Sequence, residues 1–134
     1  MPGQCVRSKL ALAGAIAVFA ASGAFARQGL HTPAKNDPER AAILDGLRHH
    51  GENADRIFDV RALRVRGGWA WVTANPRSRD GRNRYEPESA LLREESGRWS
   101  VVDQPCGEED CSTRKEVARM KKAWPAAPAD IFPK

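Results

Sequence analysis

Hydrophobic positions recur along this chain at different spacings, and each spacing predicts a different element. The opening stretch has no period at all. Leu10 to Ala21 is an uninterrupted apolar run, preceded by Arg7 and Lys9 with no acid and followed by Ser22-Gly23-Ala24-Phe25-Ala26. A basic start, a short apolar core and a small-x-small ending predict a cleavable export signal over residues 1–26, cut between Ala26 and Arg27. The cationic end stays on the cytoplasmic side while the apolar segment enters the translocon. The alternative is a permanent anchor, which wants about 20 apolar residues. This run is shorter, is diluted by alanine and ends in a processing signature. Cys5 precedes the run, so it is misplaced for lipid attachment and leaves with the signal.

Residues 27–36 are polar, include Pro33, and are expected to form a flexible lead-in. A single domain then fills residues 37–134. Asp37-Pro38 predicts a helix start, the aspartate capping free amides and the proline suiting the first helical position. Ala41, Ile43, Leu44 and Leu47 form a stripe at helical spacing, and Gly51 can take the left-handed conformation that ends the helix.

The period then falls to two. Phe58 and Val60 share one parity, Leu63 and Val65 the other. One extended strand cannot bury both sets on one face, so an extra residue near Arg61-Ala62 is predicted, a β-bulge. Gly67-Gly68 marks a hairpin turn. Trp69 to Ala74 is the return strand, with Trp69 and Trp71 on one face and Ala70 and Val72 on the other. Asn75 to Ser89 reads as a long polar connection. Ala90 to Arg93 is a third strand, Ser96-Gly97 turns it, and Arg98 to Asp103 is the fourth, with Trp99 and Val101 facing one side. Thr113 and Glu116 suggest a capping box for a last helix, whose apolar face is Val117, Met120 and Trp124. Pro125 ends it. The tail is expected to be extended and docked by Ile131 and Phe132. The whole predicts an α+β fold: an N-terminal helix, a four-stranded antiparallel β-meander, a C-terminal helix and an extended tail, with helix covering one face of the sheet.

Composition adds two constraints. Losing Arg7 and Lys9 with the signal lowers the formal net charge from +5 to +3, so the mature chain is mildly basic and nothing calls for nucleic acid. Cleavage also leaves no transmembrane segment. Cys106 and Cys111 remain in Cys-Gly-Glu-Glu-Asp-Cys, and an even pair in an oxidising compartment reads as a disulfide. Free thiols and a metal site are the alternatives. The three intervening acids favour a metal, but two thiolates without a nearby histidine fall short of a full ligand set. A redox role would want the tighter Cys-x-x-Cys spacing.

Catalytic signatures are sparse. His31 lies in the lead-in, while His49 and His50 are adjacent at a helix end, where they point about 100 degrees apart and match the helix dipole. Asp59, Asp103, Glu108, Glu109 and Asp110 offer carboxylates. Only Asp59 has an apolar setting, between Phe58 and Val60, and strand alternation turns it to the wet face. No phosphate loop, His-Glu-x-x-His motif or serine elbow occurs. The reading is therefore of a non-enzymatic protein that needs no cofactor.

Two groups stand above this background. Arg61, Arg64, Arg66, Arg77, Arg79, Arg82 and Arg84, with Tyr85, would form a positive patch if hairpin and loop adjoin. Arginine forks match carboxylate and phosphate, and Arg77, Arg79, Arg82 and Arg84 are the candidate anion-binding set. A solvated loop is the alternative. Trp69, Trp71 and Trp99 are either core or an exposed stacking surface; as cross-strand neighbours they would form an aromatic ladder.

Val60, Leu63-Arg64-Val65, Gly67-Gly68-Trp69-Ala70-Trp71-Val72, Leu91-Leu92-Arg93, Trp99-Ser100-Val101-Val102 and the tail Ile131-Phe132-Pro133 resemble small exported bacterial proteins of unknown function. A helix followed by a curved antiparallel sheet also resembles the cystatin-like and NTF2-like architecture. The resemblance implies a fold and carries over no catalytic residue. The resulting expectation is a periplasmic or secreted binding or accessory protein, whose arginine-rich loop meets an envelope protein or an anionic envelope component. The alternative is a small NTF2-like ligand-binding or enzymatic domain.

Overall fold

The computed structural model describes residues 29–134. The expected export signal, its cleavage site at Ala26 and Arg27, and the first residues of the lead-in lie outside them. The protein is α+β: helix α1 (Pro38–Arg48), strands β1 (Arg56–Arg66), β2 (Trp69–Ser78), β3 (Glu88–Glu95) and β4 (Arg98–Asp103), helix α2 (Thr113–Ala123), and a 3-10 turn at Ala129–Ile131. The strands form one antiparallel sheet in the order β1-β2-β3-β4. None of the described helices is long and apolar enough to cross a membrane.

Local chemistry sets the boundaries. Asp37 accepts the Glu39 amide at 2.9 Å and Pro38 opens α1. Gly51 lies at φ +62°, beyond the helix end. Within α1, Ile43, Gly46 and Leu47 are buried and Ala42 and Leu44 pack at their margin, whereas Ala41 is exposed. The register of β1 against β2 slips between Val60 and Ala62, leaving Arg61 as the extra residue. That bulge puts Phe58 and Val60 in the same cluster as Leu63 and Val65. Gly67 and Gly68 (φ +57° and +79°), like Ser96 and Gly97 (+52° and +74°), supply the paired positive angles of tight two-residue hairpins.

Both faces of the sheet are covered, not one. On the first, Ile43 and Leu47 of α1 pack on Phe58, Leu63, Val65, Ala70, Val72, Leu92 and Trp99. On the second, Val117 and Met120 of α2, with Ile131 and Phe132 of the tail, pack on Trp69, Trp71 and Leu91. The cause is in β2, where Trp69, Ala70, Trp71 and Val72 are all buried, so neither parity can face water. Trp99 consequently lies on the opposite face from Trp69 and Trp71, and β3 separates their strands. The three tryptophans therefore form no ladder, and all three are buried in core, not exposed as a stacking surface. Trp69 meets Trp124 and Trp71 meets Phe132, with ring centroids 6.0 and 5.6 Å apart.

Three expectations change in detail. β2 runs on to Ser78, so Asn75, Pro76 and Arg77 are strand and not loop. Pro76 is tolerated because pairing with β3 starts only at Ala74, and the returning chain beside it bonds the Pro76 carbonyl, from the Tyr85 amide at 3.0 Å, without needing a donor from its nitrogen. The cap of α2 is Ser112, one residue earlier than expected, and Glu116 reaches away to accept the Cys106 amide at 2.9 Å. The tail is docked by Ile131 and Phe132 through a 3-10 turn instead of running fully extended. The Cys106–Cys111 disulfide is formed, with Cα atoms 5.8 Å apart.

Candidate functional site

The arginine group is divided among separate contacts, although Arg77 and Arg84 stand opposite each other in an isolated antiparallel bridge. Arg64 donates to the Phe132 carbonyl at 3.0 Å and Arg66 pairs with Asp130, so both tie the tail to the hairpin. Arg77 pairs with Asp59 at 3.2 Å. Arg82 lies 4.0 Å from Asp80, whose carboxyl is held below its usual range by the Ser78 hydroxyl and the Arg82 amide. Arg61 sits on the bulge, and it, Arg79 and Arg84 are exposed. Arg56, which the sequence reading did not single out, lies 4.0 Å over the Tyr85 ring. Beside that pair is an open hollow of about 640 Å³ whose rim mixes Arg56 and Arg79 with Glu52, Asp55 and Asp80. Such a mixed rim favours no one sign of ligand.

A second hollow, about 400 Å³, lies between the disulfide loop and the tail over Trp71, Thr73 and Ser89. Glu88 lines it. Burial pushes the Glu88 carboxyl above its usual range, while the Asn53 amide and the charges of Arg56 and His50 oppose the shift. Asp103, at the end of β4, moves the other way. Burial raises it, but hydrogen bonds from Arg119 and the Trp124 indole outweigh that and hold it low. Arg119 also bonds Glu116 and the Gln104 carbonyl, so a polar clasp joins β4, the cysteine loop and α2. Among the described residues, no group of three or more metal-ligating side chains occurs.

The two edges of the sheet differ in whether their outward backbone groups are bonded. A two-residue turn closes on a hydrogen-bonded pair, and pairs alternate from there. In β1 this turns the amide and carbonyl of Val65 outward. His31 takes both, at 2.8 and 2.9 Å, and Thr32 Oγ1 donates to the Leu63 carbonyl at 2.7 Å. The lead-in thus pairs with the sheet as a short antiparallel bridge. The same alternation, counted from the Glu95–Arg98 pair, turns Trp99 and Val101 outward from β4. No hydrogen bond from the described residues reaches their outward groups.

That edge lies in a groove of about 610 Å³ between β4 and α1. One wall is Gly97 to Val101 and the other is Ala42, Asp45, Gly46, His49 and His50. Gly46 sets the spacing. A methyl group there would lie 2.6 Å from the Trp99 carbonyl oxygen, so only glycine lets the helix come this close. The groove ends where His50 Nε2 meets Gln104 Oε1 at 3.0 Å. His49 bonds back to the Asp45 carbonyl at 2.6 Å, and Asp45 pairs with Arg48 at 2.5 Å. Arg98 is exposed at the hairpin end and enters no ion pair with the described residues.

The sequence places His49 and His50 at a helix end and Arg98 and Val101 in the fourth strand, but gives Gly46, Arg98, Ser100 and Val101 no contact role. One signal was available: the last strand of a meander has a free edge. Comparison with family models, curated proteins and solved structures finds no match.

Proposed function

We propose that this chain is an exported, non-enzymatic binding or accessory protein of the bacterial envelope, and that its contact surface is the groove between α1 and β4. The observation that carries the reading is the asymmetry of the edges. The chain uses its own lead-in to complete one and leaves the other with outward backbone groups inside a concavity. Export accounts for the apolar opening segment and suits a formed disulfide. The arginine loop is a weaker contact surface, because Arg77 and Arg82 already face carboxylates. An NTF2-like chamber would need space between helix and sheet, and Ile43, Leu47, Phe58 and Trp99 fill it.

Two measurements test this. Intact mass of the native product should give a chain starting at Arg27 with both cysteines oxidised, recovered outside the cytoplasm. A retained Met1 in a reduced cytosolic chain removes the export reading. A photo-crosslinking residue at Ser100, on the groove, should trap a partner in cells, and one at Arg79 should not. Trapping only from Arg79 moves the contact to the arginine loop.

A further inference from the structure

Resting on that reading, we propose that the groove's occupant is an extended, acidic segment of a partner polypeptide, which adds to β4 as a fifth strand.

The protein already shows how its edges accept chain. At the β1 edge a single extended residue, His31, satisfies both outward groups of Val65. Val101 is the counterpart on β4. It is a non-hydrogen-bonded partner of Leu92, as Val65 is of Ala70, and its amide and carbonyl point into the groove. Main-chain pairing at a free edge is a general mode of peptide capture, with affinity from the backbone and selectivity from the alternating side chains. The neighbouring outward carbonyl, on Trp99, is covered by the α1 backbone at Gly46, so an added strand pairs at Val101 and the helix bounds it on the Trp99 side.

The alternation also specifies the occupant. Side chains of an added strand would point alternately to the two faces of the sheet. Those on the α1 side meet Ala42 and Gly46, where small or β-branched groups fit. Those on the other side run beside Ser100 and Arg98. Arg98 is the arginine of the groove wall and has no acid partner among the described residues, while the wall's carboxylate, Asp45, is already neutralised by Arg48 from outside the groove. A carboxylate on the incoming strand would complete it with a charge-assisted hydrogen bond. A basic segment would be left with its charge against Arg98.

The probe is a capped, fluorescein-labelled octapeptide alternating glutamate with valine, compared with its lysine-for-glutamate counterpart by fluorescence anisotropy. The full mature chain should bind the glutamate peptide at least tenfold more tightly than the lysine peptide. Val101→Pro removes the outward amide without touching a bond to β3 and should weaken binding at least tenfold. Arg98→Glu should reverse the preference. If Val101→Pro unfolds, Ala42→Gln fills the slot from the helix side and should weaken binding to the same degree. Equal binding of both peptides overturns the acidic selectivity. Equal binding by a folded Val101→Pro or Ala42→Gln chain, or no binding by the wild type, overturns strand addition. A cross-link from Ser100 in cells would then still stand, which separates failure of the mode from failure of the contact surface.

Discussion

The β1 and β4 edges of the sheet present the same problem and receive opposite treatment. Each borders a two-residue hairpin turn, and both turn alternate backbone groups away from their neighbour. At β1 the lead-in folds back and His31 and Thr32 occupy the groups of Val65 and Leu63. At β4 the helix stands alongside without bonding to them. Free edges invite pairing with foreign chain, and proteins commonly blunt them with short strands, charge, bulges or a cover. β4 shows three such devices: it is short, Arg98 sits on it, and its register slips between Leu91 and Leu92. The comparison teaches that this edge is guarded against indiscriminate pairing yet is not closed.

Proline substitution gives the strongest contrast between the edges. Val65→Pro removes an amide bonded to the His31 carbonyl and disturbs a buried side chain, so it should cost about 3 kcal/mol. Val101→Pro removes an amide bonded to no described residue and should cost under about 1 kcal/mol. Urea unfolding of the two variants checks both, and equal losses would erase the distinction. Next in size is the disulfide. Replacing Cys106 and Cys111 by serine should lower stability by about 2 kcal/mol, the loop being short. Because that loop hangs from the end of β4, protection of the Val65 amide in hydrogen exchange should hardly change relative to the global value.

Gly46→Ala should cost about 1–2 kcal/mol, overpacking against the Trp99 carbonyl outweighing alanine's better helix propensity. It should also change peptide binding at β4 while leaving the His31 bridge intact by NMR. The smallest effect is on pH dependence. The depressed Asp103 carboxyl contributes stability that is complete above its ordinary value near 3.8 and is lost as pH falls through its lowered folded value. Glu88, raised by burial, acts in the opposite sense. Its contribution is complete below about 4.5 and is lost as pH rises through its folded value. Asp103→Asn should therefore flatten the acid limb of a urea-midpoint profile, and Glu88→Gln should flatten the fall above pH 4.5. Unchanged profiles would show that neither carboxyl is coupled to folding.

Much of this was legible from spacing alone. The parity clash between Phe58–Val60 and Leu63–Val65 located the bulge, and Gly67-Gly68 and Ser96-Gly97 located the turns. The α+β meander follows from those signals. The second covered face was also written in the chain, since Trp69 to Val72 are apolar on both parities, but assigning a cover to each parity requires knowing where α2 and the tail return. The end of β2 was misread because Asn75, Pro76 and Arg77 have poor strand propensity. Tertiary pairing with Asp59, Phe58 and Ile57 overrides it. The groove was the least legible part. Its walls are Ala42, Gly46, Ser100 and Val101, residues with no chemical signature, and they become a site only through the approach of α1 to an edge that topology leaves free.

Amide hydrogen exchange of the free mature chain compares the two edges most directly. The Val101 amide should exchange orders of magnitude faster than the Val65 amide, and adding the glutamate peptide should slow Val101 and leave Val65 unchanged. Equal protection of Val65 and Val101 in the free chain would mean that β4 is already closed, and would contradict the account.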